Sequence, residues 1–328
     1  MAGGGSLLRV GADLIVLSDD ASGARVFDVR RPREPRLAGS IGTTGTGLAA
    51  WRDLLLQAGT AGLNAYRFDE TGTPTLAWAR PDLVRTGAPG SPVVAGDRLV
   101  VPSDHGLAVL DLVRGPTPEL LGIHTAGPPD AFAVTTIGPL VAVGGEGTLT
   151  LLDVEDPAHP RIVSQLGNFG RVTSLVERDG LLFVAQRQLD IGSLVSTGPG
   201  GSVVDVRTPE TPKRVRDESN LTLLAVTSDG GAYGSSGDSR VVTLDLARAA
   251  SPSGPSAAGQ PGALTALAAA GGFVAASGDI WRRFDVGLFT DAPGLQVFDV
   301  RDPLTMTAWP PSGTTSWYST ARRCPSWT

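Results

Sequence analysis

The sequence predicts an all-β chain, a seven-bladed β-propeller of four-stranded antiparallel blades, on three observations. A short phrase recurs: VFDVRRPREP at 26–35, LLDVEDPAHP at 151–160 and VVDVRTPETP at 203–212, with VFDVRDP at 297–303 as a shorter copy. With its Asp as a marker, the copies fall at Asp28, Asp69, Asp111, Asp153, Asp205, Asp245 and Asp299, spaced by 41, 42, 42, 52, 40 and 54 residues. Short apolar runs bounded by Gly or Asp precede each marker, and no stretch of ten or more residues carries the 3.6-residue apolar period of a helix.

Each unit reads as four short strands. Around Asp153 they are AFAV, LVAVG, LTLLDV and RIVSQ. The second strand is recognisable throughout, as in GADLIVLSDD, WRDLLLQAG, AGDRLVVPSD and RDGLLFVAQ. The third ends at the marker. Proline follows the marker at +7 (Pro35, Pro118, Pro160, Pro212, Pro252) and at +4 (Pro32, Pro157, Pro209, Pro303). Proline has no N–H for a sheet ladder, so these residues belong in the turn after the third strand or on an exposed edge. An Asp at a strand end accepts backbone N–H groups of the turn that follows. The phrase is therefore a strand stop and a corner into the outermost strand.

A unit of about 42 residues cannot bury both faces of its sheet alone, and a ring of such sheets solves this. The blades fall at approximately 6–47, 48–90, 91–129, 130–170, 171–221, 222–262 and 263–313, followed by an irregular tail at 314–328. The first unit begins with its own innermost strand, LLRV, and the last supplies its own outermost strand, MTAW. The ring is thus expected to close by blade-to-blade packing. The tail region holds two of the six tryptophans and the single cysteine, Cys324.

Composition excludes several functions. A net charge of −6 and a pI near 5.1 oppose a general phosphate-binding surface, so nucleic acid is not an expected partner. No apolar run reaches the roughly 18 residues of a membrane span, so membrane insertion is not expected. The opening MAGGGSLLRVGADLIVL lacks a basic leader, and Asp13 interrupts its apolar stretch, so it does not read as a signal peptide. Three histidines and one cysteine offer no zinc spacing, and GGEG and GPGG lack the Lys-Ser/Thr of a phosphate loop. No cofactor or metal is expected.

The pattern apolar–apolar–Asp–Val–x–x–Pro–x–x–Pro, as it stands at 26–35, 151–160 and 203–212, resembles the LVIVD-repeat family. The resemblance covers roughly residues 6–310. It implies a β-propeller, often exported or at the cell surface, with no settled catalytic set, and so an extracellular or periplasmic location; the opening residues taken without the resemblance give a cytoplasmic one. Residues 69–74 (DETGTP) and 245–255 depart from the pattern.

Function resides in sites grafted on such a scaffold. The two long spacings place insertions between second and third strands: QRQLDIGSLVSTGPGG in unit five and DIWRRFDVGLFTDAPG in unit seven. Both are expected as long loops on one rim, where long loops serve binding. The candidate binding residues are Trp281, Arg282, Arg283 and Asp285 in the second loop, Arg187 and Asp190 in the first, and His105 in SDHG at the same corner of unit three. Aromatic and Arg side chains favour recognition of a protein or glycan partner. The alternative is a hydrolase or lactonase-like enzyme with His105, Glu146, Arg187 and Asp285 converging on the central mouth.

Overall fold

The computed structural model describes residues 6–11, 13–19, 23–31, 35–43, 45, 47–59, 61–82, 91–103, 106–113, 117–124, 133–190, 195–219, 221–226, 232–236, 241–244, 264–270, 273–284, 287–299 and 307–308. For 187–190, 195–199 and most strands after 217, the backbone course alone is described. All regular elements among these residues are strands.

The strands group in chain order into antiparallel meanders. The first contains β1 (Ser6–Val10), β2 (Leu14–Asp19), β3 (Gly23–Asp28) and β4 (Arg36–Ile41), and the next β5 (Gly47–Trp51), β6 (Leu54–Gly59), β7 (Gly62–Phe68) and β8 (Pro74–Arg80). There follow β9 (Val93–Ala95), β10 (Arg98–Ser103), β11 (Gly106–Asp111) and β12 (Glu119–His124), then β13 (Ala133–Ile137), β14 (Leu140–Gly144), β15 (Leu149–Asp153) and β16 (Arg161–Leu166). Next come β17 (Arg171–Arg178), β18 (Leu181–Asp190), β19 (Val195–Asp205) and β20 (Lys213–Ser219). Three described strands, β21 (Leu221–Val226), β22 (Ala232–Ser236) and β23 (Val241–Leu244), form the following sheet. The last holds β24 (Leu264–Ala270), β25 (Phe273–Phe284), β26 (Gly287–Asp299) and β27 (Thr307–Ala308).

Local chemistry explains the turns. Two-residue turns join first to second strands at 52–53, 96–97, 138–139 and 179–180. Their first residues all have positive φ: Arg52 53°, Gly96 61°, Gly138 56° and Asp179 51°. Such turns match the right-handed twist of the strands they join.

The repeated Asp does what its position predicts. Asp28, Asp111, Asp153 and Asp205 each accept the backbone N–H two residues on, at 2.9, 2.7, 2.9 and 3.1 Å. The residue just after the marker is buried as Leu112, Val154 and Val206, and half-buried as Val29. Unit two needs a correction. The residue that opens the second strand faces the marker elsewhere, as in Leu14–Asp28, Arg98–Asp111, Leu140–Asp153 and Leu181–Asp205. In unit two Leu54 faces Arg67, so Asp69 lies two residues past the marker position. It still shapes the corner, accepting from the N–H groups of Thr71 and Thr73 at 2.9 Å each.

The core lies between sheets. Val16 and Val26 cluster with Leu55 and Tyr66 of the next sheet, and Leu56 and Leu63 with Leu99 and Leu110. Val100 and Val109 join Val141 and Leu152, and Ala142 and Leu151 join Leu182 and Val204. Burial that no single sheet could achieve is thus shared by neighbours. The first strands pack in succession, β1 on β5, β5 on β9, β9 on β13, β13 on β17, β17 on β21 and β21 on β24, and β24 packs on β1.

The proline corner has a second role across this interface. A Cβ on Gly39 of β4 would stand 2.4 Å from Pro74 Cδ at the corner of the following unit. Further on, Ser164 Oγ of β16 donates to the Pro209 carbonyl at 2.6 Å. Arg80 of β8 donates to the Pro118 carbonyl at 2.9 Å. These three outer strands, β4, β8 and β16, lean on the corner of the next unit. Every fully described pairing of third and fourth strands carries a bulge: Val26/Phe27, Ala65/Tyr66, Val109/Leu110, Leu151/Leu152 and Val203/Val204. Bulges twist and blunt an exposed edge.

Candidate functional site

Two rims follow from the meander order. One carries the ends of second strands, the starts of third strands and the connections into the next sheet. The other carries the first-to-second turns and the proline corners.

The first rim is tied together by buried polar side chains. Gln57, 1 % exposed at the end of β6, donates to the carbonyls of Thr43 at 3.1 Å and Gly45 at 3.0 Å. Its Oε1 accepts from Thr43 Oγ1 at 2.6 Å, and the same hydroxyl meets Tyr66 OH at 2.7 Å. Burial pushes the Tyr66 hydroxyl above its ordinary pKa, against the opposing effect of the Thr43 bond. Gln186 lies two residues further along β18 than Gln57 does along β6, and its Oε1 accepts from Gly170 N at 2.8 Å. Between β14 and β15, the turn at 145–148 bonds to residues 169–172: Gly147 N to Gly170 O, Phe169 N to Gly147 O and Val172 N to Gly145 O. Glu146 forms a single antiparallel bridge with Arg171.

Here the structure corrects the expected loops. Most of the two insertions is strand. Residues up to Asp190 and from Val195 continue the β18–β19 ladder, with Arg187 opposite Pro199 and Asp190 opposite Val195. Residues 279–284 and 287–294 continue β25–β26, with Trp281 opposite Thr290, Arg282 opposite Phe289 and Arg283 opposite Leu288. Second and third strands are already neighbours, so extending their ladder pairs backbone groups that a loop would leave to water. Gly and Pro residues of the two insertions sit by register shifts at Gln188/Leu189 and Asp279/Ile280, where a sheet tolerates them.

Of the predicted binding residues, the backbone of Arg187 and Asp190 lies on one hairpin and that of Trp281, Arg282 and Arg283 on the other. The hairpins belong to sheets separated by the β21–β23 sheet. His105 and Asp285 lie outside the described residues, as does the tail at 314–328. Arg171 pairs with Arg187 on one side and bridges Glu146 on the other, so those two backbones flank a common strand. Among the described residues, no group of three or more His, Cys, Asp or Glu gathers as a metal site.

On the opposite rim, the corners are electrostatically satisfied. The Arg207 guanidinium, followed by its backbone N–H, holds the Asp205 carboxyl at about 2. Arg30 lowers Asp28 in the same way, and the Glu155 N–H with Arg161 lowers Asp153. In unit two the Thr71 hydroxyl and the Thr73 N–H lower Asp69, with no arginine taking part. Between units two and three lies a cavity of about 300 Å³ lined by Trp51, Arg52, Arg67, Trp78, Val113 and Thr117, with Leu54 and Leu112 in its floor. The Arg52 guanidinium lies 4.4 Å over the Trp51 ring. Arg67 Nε donates to Asp53 Oδ2 at 2.9 Å, with both side chains about two-thirds exposed. The only sequence signal for this pocket was the departure of residues 69–74 from the repeated phrase.

No protein-family model and no curated relative matches the chain in sequence. Its backbone is similar to the Pan2 WD40 domain of Neurospora crassa, with a TM-score of 0.61, 13% identity and coverage of 84% of this chain and 86% of that one. Sqt1 of Saccharomyces cerevisiae gives a TM-score of 0.57 at 9% identity, covering 94% and 88%. The computationally designed Ika8 protein gives 0.56 at 16% identity, covering 94% and 96%. With the stacked meanders and the cores shared between them, these likenesses make the fold a β-propeller.

Proposed function

We propose that the chain is a non-enzymatic, seven-bladed propeller that binds a protein partner through the rim bearing the two long hairpins. The blades are those read from the repeat, 6–47 through 263–313. The closed succession of first strands, from β1 through β24 and back to β1, supports that count. The single observation carrying the function is the pair of extended hairpins, β18–β19 and β25–β26, on sheets flanking a common neighbour. Paired strands hold a recognition surface more firmly than loops, and the second hairpin carries Trp281, Arg282 and Arg283, residue types suited to interface anchors, with Asp285 proposed beside them. Arg187, Asp190 and His105 complete the proposed surface. A glycan partner is the other occupant the aromatic residues admit. The LVIVD-repeat resemblance adds a location outside the cytoplasm to this reading.

The test is affinity capture from an extract of the producing cells with the immobilised full chain and with its Trp281→Ala/Arg282→Ala variant. A protein retained by the first and lost by the second, at unchanged melting temperature, is the expected result. Equal retention by both removes the hairpin from the binding surface.

A further inference from the structure

We propose that the cavity between units two and three is a second binding site, on the rim opposite the hairpins, for an acidic peptide segment carrying one apolar side chain. The argument rests on where unit two breaks the repeat. Arg67 occupies the register position that holds Asp28, Asp111, Asp153, Asp205 and Asp299 in other units. The corner acceptor shifts to Asp69, and the marker position presents a guanidinium that is about two-thirds exposed and paired with Asp53.

Trp78 departs at a second position. It stands opposite Ala65 just before the bulge, where Gly39, Gly122, Ser164 and Arg216 stand opposite Val26, Val109, Leu151 and Val203, so among the described units only unit two has an aromatic ring there. Arg52 departs at a third. It has a φ of 53° at a turn position that units three, four and five fill with Gly96, Gly138 and Asp179, so what sets it apart is its positive charge. A left-handed conformation is unfavourable for a residue with a Cβ, and local rules broken without local gain mark functional places. Three departures meet in one cavity.

The lining defines the ligand. Trp51 and Trp78 are half-buried against the inter-sheet core, and Val113 opposite them is 48% exposed, so an apolar side chain entering here loses water on both sides. Arg52 and Arg67 flank this apolar gap, and the described residues lining it include no carboxylate. Asp53, the partner of Arg67, is itself well exposed and leaves the rest of the guanidinium fork for an incoming carboxylate. A nucleobase or sugar ring would need an open tryptophan face. Arg52 covers one face of Trp51 and so narrows the room for such a ring, whereas an acidic side chain needs only the guanidinium edge. The opposing wall is held by the Arg80 to Pro118 bond.

The test is calorimetric titration of the full chain with a synthetic peptide of glutamates flanking a central leucine. The comparison probes are its lysine counterpart and trigalacturonate. The variant Arg52→Gly/Arg67→Asp restores the residues the repeat uses elsewhere. The acidic peptide is expected to bind the wild type, to weaken about tenfold or more in the variant, and to weaken with added salt. The melting temperature is expected to stay within about 2 °C. If the double variant melts differently, Arg67→Gln repeats the titration with only the charge removed. Absence of acidic-peptide binding by the wild type, equal binding by the variants, equal binding of the lysine peptide, or binding of trigalacturonate alone would each overturn the proposal.

Discussion

Replacing Gln57 by Leu tests whether buried polar side chains, rather than apolar packing alone, hold consecutive sheets in register. Leu is close to Gln in volume, so the change removes hydrogen bonds with little change in packing. The structure supplies the inventory: two donor bonds, to the carbonyls of Thr43 and Gly45, and one bond accepted from Thr43 Oγ1. The hydroxyl keeps Tyr66 as a partner, so the loss falls on the carbonyls. Gly45 is buried and Thr43 is half-buried. Leaving a buried acceptor unpaired costs about 1–3 kcal/mol, and a half-buried one less, so Gln57→Leu is expected to destabilise the fold by about 2–4 kcal/mol. Urea denaturation followed by circular dichroism measures this, with an unchanged slope showing that the unfolded state is not the cause.

Gln57→Glu sharpens the test. Its carboxyl, buried against two carbonyls, has a folded pKa raised above the unfolded value of about 4.3. Stability is then fully retained below about pH 4 and lost as pH rises through the folded pKa. A loss below about 0.5 kcal/mol for the Leu variant, or a pH-independent Glu variant, would refute the reasoning.

Other consequences follow from the same interfaces. A Cβ on Gly144 would stand 2.3 Å from Val172 Cγ1 of the next sheet. Gly144→Ala should therefore cost about 1–3 kcal/mol, most of it recovered by Val172→Ala in a double-mutant cycle by denaturant titration. Gly39→Ala meets Pro74 in the same way, and thermal melts should show it destabilising where Gly42→Ala, with open space around its Cβ, is not. The carboxyls of Asp28, Asp69, Asp153 and Asp205 are all held below their ordinary range, Asp205 to about 2 by Arg207. Depressed folded values mean a contribution present above the unfolded pKa of about 3.9 and lost as pH falls toward 2. Melting temperature should therefore decline over that window, less steeply in Asp205→Asn.

Much of the fold was legible because its signals are local. Alternating or wholly apolar runs of four to six residues specify strands. An Asp at a strand end and prolines at +4 and +7 specify a corner, and both act through backbone groups a few residues away. That is why Asp28, Asp111, Asp153 and Asp205 behave as their positions predict. The candidate site was less legible. Glycine and proline at 198–201 and 293–294 signal a turn equally well at a bulge within a ladder, and only the pairing of strands decides between them. Spacing put Asp69 in the series of markers, and only register shows Arg67 in that place, two residues earlier. The contacts of Gly39 with Pro74, Ser164 with Pro209 and Gln57 with Gly45, and the meeting of Trp51, Arg52, Arg67 and Trp78 against Val113, join residues 12 to 62 positions apart in the chain. Local preference carries no record of such meetings. They arise only when each sheet buries its faces on its neighbours, so the sequence by itself determined the sheets and their corners, and the tertiary structure decided what stands between them.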